Sequence, residues 1–375
     1  MTYFDNAATT PLSPNVIRAM TAAMQDNFGN PSSIHSYGRQ ASKTLRECRQ
    51  AIANHFGASE RQIIFTSGGT ESNNTAIKGY ALANQKKGKH LITTAIEHHS
   101  VLHAMAYLQE RFGFEVTYLP CQNGQINLAD LKKALRDDTI LVSIMYANNE
   151  TGDLLPIKDI GNLLKEHQAA FHVDAVQAVG KLKIVPSELG IDFLSASAHK
   201  FHGPKGVGFL YSKGLQMDAL LHGGDQEEKR RASTENMISI VGMTQALNDA
   251  MTEQTQLTHH ITTLREHLIS QLDGLTYYIN QSPNHLPHVL NIGFPGYQNG
   301  VLLTQLDLAG FAVSTGSACT AGTVEPSHVL AAYFGKDSHR LAESIRISLS
   351  DQNTLEEITQ LAQTLRKILG DTDGI

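Results

Sequence analysis

Short apolar runs separated by longer amphipathic stretches fill the first two-thirds of the chain. "QIIFTS" (62–67) leads into a helical stretch from Glu71 to about Gln85, and "HLITTAI" (90–96) into "SVLHAMAYLQERFG" (100–113). "EVTYLP" leads into "LADLKKALR", "TILVSIMYAN" (139–148) into "IKDIGNLLKEHQ", and "AAFHVDAVQ" (169–177) comes next. Strands alternating with helices of this length predict an α/β fold with a mostly parallel sheet covered on both faces. The unbroken apolar character of "ILVSIMYA" fits a strand buried on both sides.

From about Met237 the texture changes. One long helical stretch is expected to about Leu272, followed by "HVLNIGF", "VLLTQLDLAG", "FAVSTGSACTAG", "SIRISLS" and a terminal helix "LEEITQLAQTLRKIL". This reads as a smaller α+β unit. The expected division is a large domain over 10–250 and a small C-terminal domain over 251–375, with residues 1–9 packing on the latter.

Composition narrows the class. The 375 residues are 41% apolar and 18% charged, which fits a globular chain of two or more packed units. Net charge is −6 and no Lys/Arg run forms a stripe, so direct nucleic-acid binding is not expected. No apolar stretch approaches membrane-spanning length, and "MTYFDNAATT" lacks the basic and apolar regions of a signal peptide. Three cysteines in so long a chain argue against a disulfide framework and for a reducing, cytoplasmic setting. There is no CxxC or HExxH, the 18 histidines are scattered, and no metal site is expected.

In an open α/β sheet, ligands collect beyond the carboxyl ends of the strands. After "QIIFTS" come Gly68, Gly69 and Thr70, opening a helix: a phosphate cradle in form, or an ordinary turn capped by Thr70. After "HLITTAI" comes His98, either a stacking ring or a helix cap. After "TILVSIMYA" come Asn148 and Asn149; after "AAFHV", Asp174 and then Gln177. After "IDFLSAS" come His199 and Lys200, in "SASAHKFHGPKGVGF". Each feature alone is bland. Together they supply an anion site, a ring clamp, an acid and an amine, which are the needs of pyridoxal phosphate.

The motifs "DNAATTP", "FGNPSS", "FTSGGTES", "EHHSV", "NNETG", "HVDAVQ", "SAHKFHGPKGVGFLY" and "STGSACTAGTVEPSHVL" resemble those of the cysteine desulfurases, in order, from Tyr3 to about Ser350. That resemblance implies the type I aminotransferase fold of class V and pyridoxal 5'-phosphate as cofactor. It implies that Lys200 carries the cofactor as a Schiff base and moves the substrate α-proton. Asp174 would hold the ring nitrogen, Gln177 the ring hydroxyl, and His98 would stack on the ring and aid proton transfer. Gly69 belongs to the phosphate cradle. Thr70, Ser197 and His199 would bind phosphate, joined by Thr234 from a second subunit of a homodimer. Asn149 and Arg346 would hold the carboxylate of L-cysteine, Arg346 through its planar fork.

Cys319, within the small-residue run "TGSACTAGT", would be the thiolate that takes the sulfur as a persulfide and passes it to an acceptor protein. The acceptor, an iron–sulfur scaffold, a tRNA-thiolation enzyme or a thiamine-pathway carrier, is left open. Leu45, Cys48 and Ile52 share one helical face, so Cys48 is read as core, and Cys121 is also read as structural. The family's "R-x-G-T-E-N" appears here with Ser233 in place of glycine, which strains the turn if that position has positive φ. Asp225, in "GGDQE", is a second departure. Other enzymes of the class, such as a selenocysteine lyase or cysteine β-lyase, and an idle sulfur-transfer scaffold are the alternatives; Lys200, Asp174, His98 and Cys319 together argue against the scaffold.

Overall fold

The computed structural model describes residues 1–316 and 326–370. Its centre is a seven-stranded sheet: β1 (Ile63–Thr66), β2 (His90–Thr94), β3 (Glu115–Leu119), β4 (Thr139–Ser143), β5 (Ala170–Asp174), β6 (Phe193–Ser197) and β7 (Gly208–Ser212). The spatial order is β1-β7-β6-β5-β4-β2-β3, parallel throughout except for β7, which is antiparallel to both neighbours. Alternate residues enter two separate apolar clusters. Ile63, Phe65, Ile92 and Phe209 join one, while Ile64, Leu91 and Leu210 join the other. That is the two-sided burial expected of strands that read as continuous apolar runs.

Two helical expectations are refined. The stretch beginning near Glu71 is a continuous helical run, Gly69–Asn74, a π turn Thr75–Gly79, and Tyr80–Asn84. The single helix expected from Met237 is instead two, Met237–Thr252 and Gln254–Gln271, broken at Glu253. The two halves serve different cores. Met243 and Leu247 pack on the large sheet's cluster, whereas Leu264 and Leu268 pack in a third cluster. One straight helix would have to bury both faces at once.

That third cluster is built on a small antiparallel sheet, β8 (Tyr278–Ile279), β9 (Val289–Gly293) and β10 (Ser344–Ser348), in that order. Phe4 from the N-terminal segment packs into it, beside Leu290, Ile292, Ile345 and Ile347. Among the described residues, no helix is long and apolar enough to cross a membrane.

Candidate active site

The carboxyl ends of β1, β2, β5 and β6 open on one cavity of about 420 Å³. Its wall includes Gly69, Thr70, His98, Asn149, Asp174, Gln177, Ser197, His199, Lys200 and Arg346. Ten of the site residues expected from sequence therefore meet in one place. Thr234 does not. It lines a separate cavity of about 210 Å³, which shares Ser67 and Gly206 with the first.

Lys200 closes the short helical turn after β6, and its Nζ donates to the carbonyls of Ala7 (2.6 Å) and Ala8 (2.7 Å). Gln177 Nε2 donates to the same Ala7 carbonyl at 3.0 Å. "DNAATTP" thus places a polar strap against the lysine. Asp174, the last residue of β5, accepts from Asn73 Nδ2 at 2.7 Å and from the Val176 N–H at 3.0 Å. Asn73 also reaches Ser100 Oγ (2.9 Å), which meets His98 Nδ1 at 2.8 Å. His98 is the N-cap of helix His99–Phe112, as one of its sequence readings expected, and it also lines the cavity. Burial, and then the charge of Lys200 among others, hold its imidazole below its ordinary value against the pull of Asp174. The other imidazole on the wall, that of His199, is drawn down to about 4, by burial first and then by Lys200, Lys205 and Lys181.

The cradle itself is glycine by necessity. Gly68 has φ +146°, and a Cβ on Gly69 would lie 2.6 Å from Val176 Cγ2. Gly68, not Thr70, occupies the N-cap position, and it makes no side-chain cap bond. The N–H groups that open this helix face a cavity that also holds Ser197 and His199. Glu71, one turn in, accepts from Ser67 N–H (2.7 Å) and forms a two-point ion pair with Arg231 (2.8 and 3.2 Å).

Arg346, on β10, is buried to 1% exposure. It donates to Asp5 Oδ1 (2.8 Å) and to the carbonyl of Asn149 (2.9 Å), while its buried Nε has no acceptor among the described residues. Sequence reasoning missed Asn73, Ser100 and Asp5. Asn73 could have been found four residues beyond Gly69 on the same helix, and Asp5 from its place in "DNAATTP". Cys319 lies in 317–325, outside the described residues. Cys48 and Cys121 are buried, and burial pushes both thiols up, Cys121 to about 12, so neither offers a thiolate near neutral pH.

The residues present fit pyridoxal phosphate. There is an amine, a carboxylate, an imidazole and a glycine cradle at a helix start, and Gln177 Oε1 is buried without a donor among the described residues. Among those residues, too, no group of three or more His, Cys, Asp or Glu converges on a metal position.

The chain belongs to the class-V aminotransferase family, whose model matches residues 2–361. It has the type I fold of pyridoxal-phosphate enzymes, and a solved NifS-like protein superposes with a TM-score of 0.92 at 38% identity, covering 98% of this chain and 99% of that one. Within the family the chain is a pyridoxal-phosphate-dependent cysteine desulfurase. It is 46% identical over 372 residues to the cysteine desulfurase IscS of Dictyoglomus turgidum, covering 98% and 94% of the two chains. It is 46% identical over 371 residues to the same-named protein of Methanosarcina thermophila, covering 98% and 91%. A solved structure described as SspA in complex with cysteine matches with a TM-score of 0.82 at 36% identity, covering 94% and 100%.

Proposed function

We propose that this enzyme converts L-cysteine to L-alanine and holds the sulfur as a persulfide on Cys319 for transfer to an acceptor protein. The observation that carries the reading is one cavity presenting Lys200, Asp174, His98 and Arg346 together. Bound pyridoxal phosphate supplies an electron sink that acidifies the substrate Cα–H and weakens its Cβ–S bond. Lys200 would hold the aldehyde carbon and carry the α-proton. Asp174 would hold the ring nitrogen, Gln177 the ring hydroxyl, and His98 would stack on the ring. Gly69, Thr70, Ser197 and His199 would hold the phosphate, with Thr234 of the partner subunit in a homodimer. Asn149 and Arg346 would hold the substrate carboxylate, Arg346 through its planar guanidinium fork. The Cys319 thiolate attacks the substrate sulfur: the S–S bond forms as the Cβ–S bond breaks, and the electron pair left on carbon takes a proton to give alanine.

The two-domain division at about residue 250 is supported by the separate apolar clusters on the two sheets, although Val329 and Tyr333 join the large sheet's cluster. A cytoplasmic location suits a thiol that must stay reduced. The acceptor would be an iron–sulfur scaffold or a tRNA-thiolation enzyme.

The test compares wild type with Cys319→Ala and Lys200→Ala, measuring alanine, sulfide and the visible spectrum. Wild type should be yellow and make alanine, Cys319→Ala yellow and inert, and Lys200→Ala at least about a thousandfold slower. Sulfide release by Cys319→Ala at the wild-type rate would remove Cys319 as nucleophile and leave a β-lyase.

A further inference from the structure

Among the described residues, Lys200 alone lines both the active-site cavity and a second one of about 110 Å³. This second cavity lies where the two lobes meet. Phe201 comes from the large sheet's cluster, Leu257 and Ile261 from helix Gln254–Gln271, and Leu286 from the segment before β9. Its walls are mostly apolar in area, and the polar side chains that interrupt them include Lys181 and His288 beside Lys200, His202, Asn6 and Gln254.

His288 is 3% exposed, and among the described residues neither Nδ1 nor Nε2 has a hydrogen-bond partner. Its backbone is fixed by the Leu349 N–H on its carbonyl at 2.8 Å. Buried polar groups are nearly always partnered, and a ring with both nitrogens unmet is costly unless the cavity supplies something. Lys181 is half-buried, and its amine donates to the Lys200 carbonyl at 2.9 Å, which leaves further N–H donors. The one carboxylate on the described wall, Asp351, is taken at 2.9 Å by His202, also a wall residue.

We propose that this cavity is a second ligand site, taking a small monocarboxylate whose charge is gripped by Lys181 and His288 and whose apolar body packs on Phe201, Leu257, Ile261 and Leu286. The volume sets the size. A dry cavity of about 150 Å³ takes benzene, so this one takes roughly four to six heavy atoms. Because Lys181 also holds the Lys200 carbonyl, occupancy reaches the backbone of the active-site lysine. The proposal does not depend on the sulfur chemistry of Cys319.

The charges around the site give it a signature. Burial, and then Lys200, bring the Lys181 amine down to about 7, while burial, and then Lys181, Arg346, Lys200 and Arg265, all oppose protonation of His288. A carboxylate arriving above that pH restores the Lys181 ammonium, so binding takes up a proton.

The experiment is titration calorimetry of the holoenzyme with isobutyrate at pH 8, in two buffers of different ionisation enthalpy. Expected are saturable binding with Kd on the order of 1 mM, proton uptake, and a loss of about tenfold or more in Lys181→Met and His288→Leu. Ala250→Leu, which fills the cavity with both nitrogens in place, should abolish binding and covers the case in which a polar variant does not fold. Three outcomes overturn the proposal. One is no saturable heat with wild type, water then being what His288 meets. Another is equal binding of isobutyramide. The third is binding that survives all three variants but is lost in Arg346→Ala, which places isobutyrate on the substrate's carboxylate site.

Discussion

The two cavities that share Lys200 are built on opposite plans. The active-site cavity is walled by strand ends and short loops, and its polar side chains largely partner one another: Asp174 with Asn73, Asn73 with Ser100, Ser100 with His98. Its unmet atoms include single ones on otherwise bonded side chains, Gln177 Oε1 and Arg346 Nε. The cavity at the lobe junction is walled largely by apolar surface, with Lys181, Lys200, His202 and Asp351 among the polar residues that interrupt it, and neither ring nitrogen of His288 there has a partner among the described residues. The same rule, that buried polar atoms need partners, reads the first as a site for a cofactor and an amino acid. It reads the second as a site for something small, with one charge.

The sharpest way to separate them is to add bulk to each. A Cβ on Gly208, behind the cradle, would stand 2.3 Å from the Ala196 carbonyl oxygen and 2.7 Å from Gly68 Cα. Backbone meets backbone there, and nothing can rotate away. Gly208→Val should cost about 3 kcal/mol or more in urea unfolding. Ala250→Leu, which adds more carbon but into the junction cavity, should cost less than about 1 kcal/mol. Equal costs would mean that the junction cavity has no room and would weaken the case for a ligand there.

Much of this contrast was legible in the sequence, and the limits have physical causes. Strands buried on both faces announce themselves as apolar runs, and strand ends collect ligands by topology, so nine of the ten site residues lie at the strand ends singled out in sequence, while Arg346, inside a strand of the small sheet, came only from the family resemblance. The helix break at Glu253 was not legible, because an amphipathic pattern shows that a helix is half-buried but not which core it faces. Leu264 and Met243 look alike in sequence and pack in different lobes. His288 sat in "HVLNIGF" as one histidine among 18. Its isolation arises only when residues about a hundred apart in sequence, Lys181 and His288, come to line one cavity. Thr234 lines a separate cavity within the chain, and its place at the phosphate belongs to the proposed homodimer.

Two titratable groups shifted by burial, one near each cavity, give opposite pH signatures. Glu97 precedes His98 and is fully buried. Its Oε1 accepts from Thr94 Oγ1 and the Met145 N–H, its Oε2 from no described residue, and burial raises it to about 8. The folded state then keeps a proton that the unfolded chain releases near 4.5, so stability falls as pH rises from about 4.5 to about 8. Lys181 is the reverse. The folded state releases a proton at about 7 that the unfolded chain keeps to about 10.5, so stability rises across that window. Urea unfolding at stepped pH should show Glu97→Gln flattening the fall and Lys181→Met flattening the rise. If Glu97→Gln leaves the slope below pH 7 unchanged, Glu97 ionises normally and the environment below His98 is wetter than its burial indicates.

The smallest effect concerns the third cavity, which meets the active-site cavity at Ser67 and Gly206 and carries Thr234. Ser233 stands at φ +97°, so the serine-for-glycine departure falls at a backbone conformation that L side chains rarely adopt. Holding a non-glycine residue there costs about 1–3 kcal/mol, and glycine's extra freedom in the unfolded chain returns about 0.5–1 kcal/mol of that. Ser233→Gly should therefore stabilise by about 1 kcal/mol, seen as a Tm rise of about 1 °C for a chain of this size. Ser233→Val, with a branched Cβ at the same φ, should destabilise. The side chain is exposed, so burial offers no offsetting reason to keep serine. If Ser233→Gly instead lowers Tm, the hydroxyl makes contacts that a single chain does not contain, and the partner subunit of the proposed homodimer is the place to look for them.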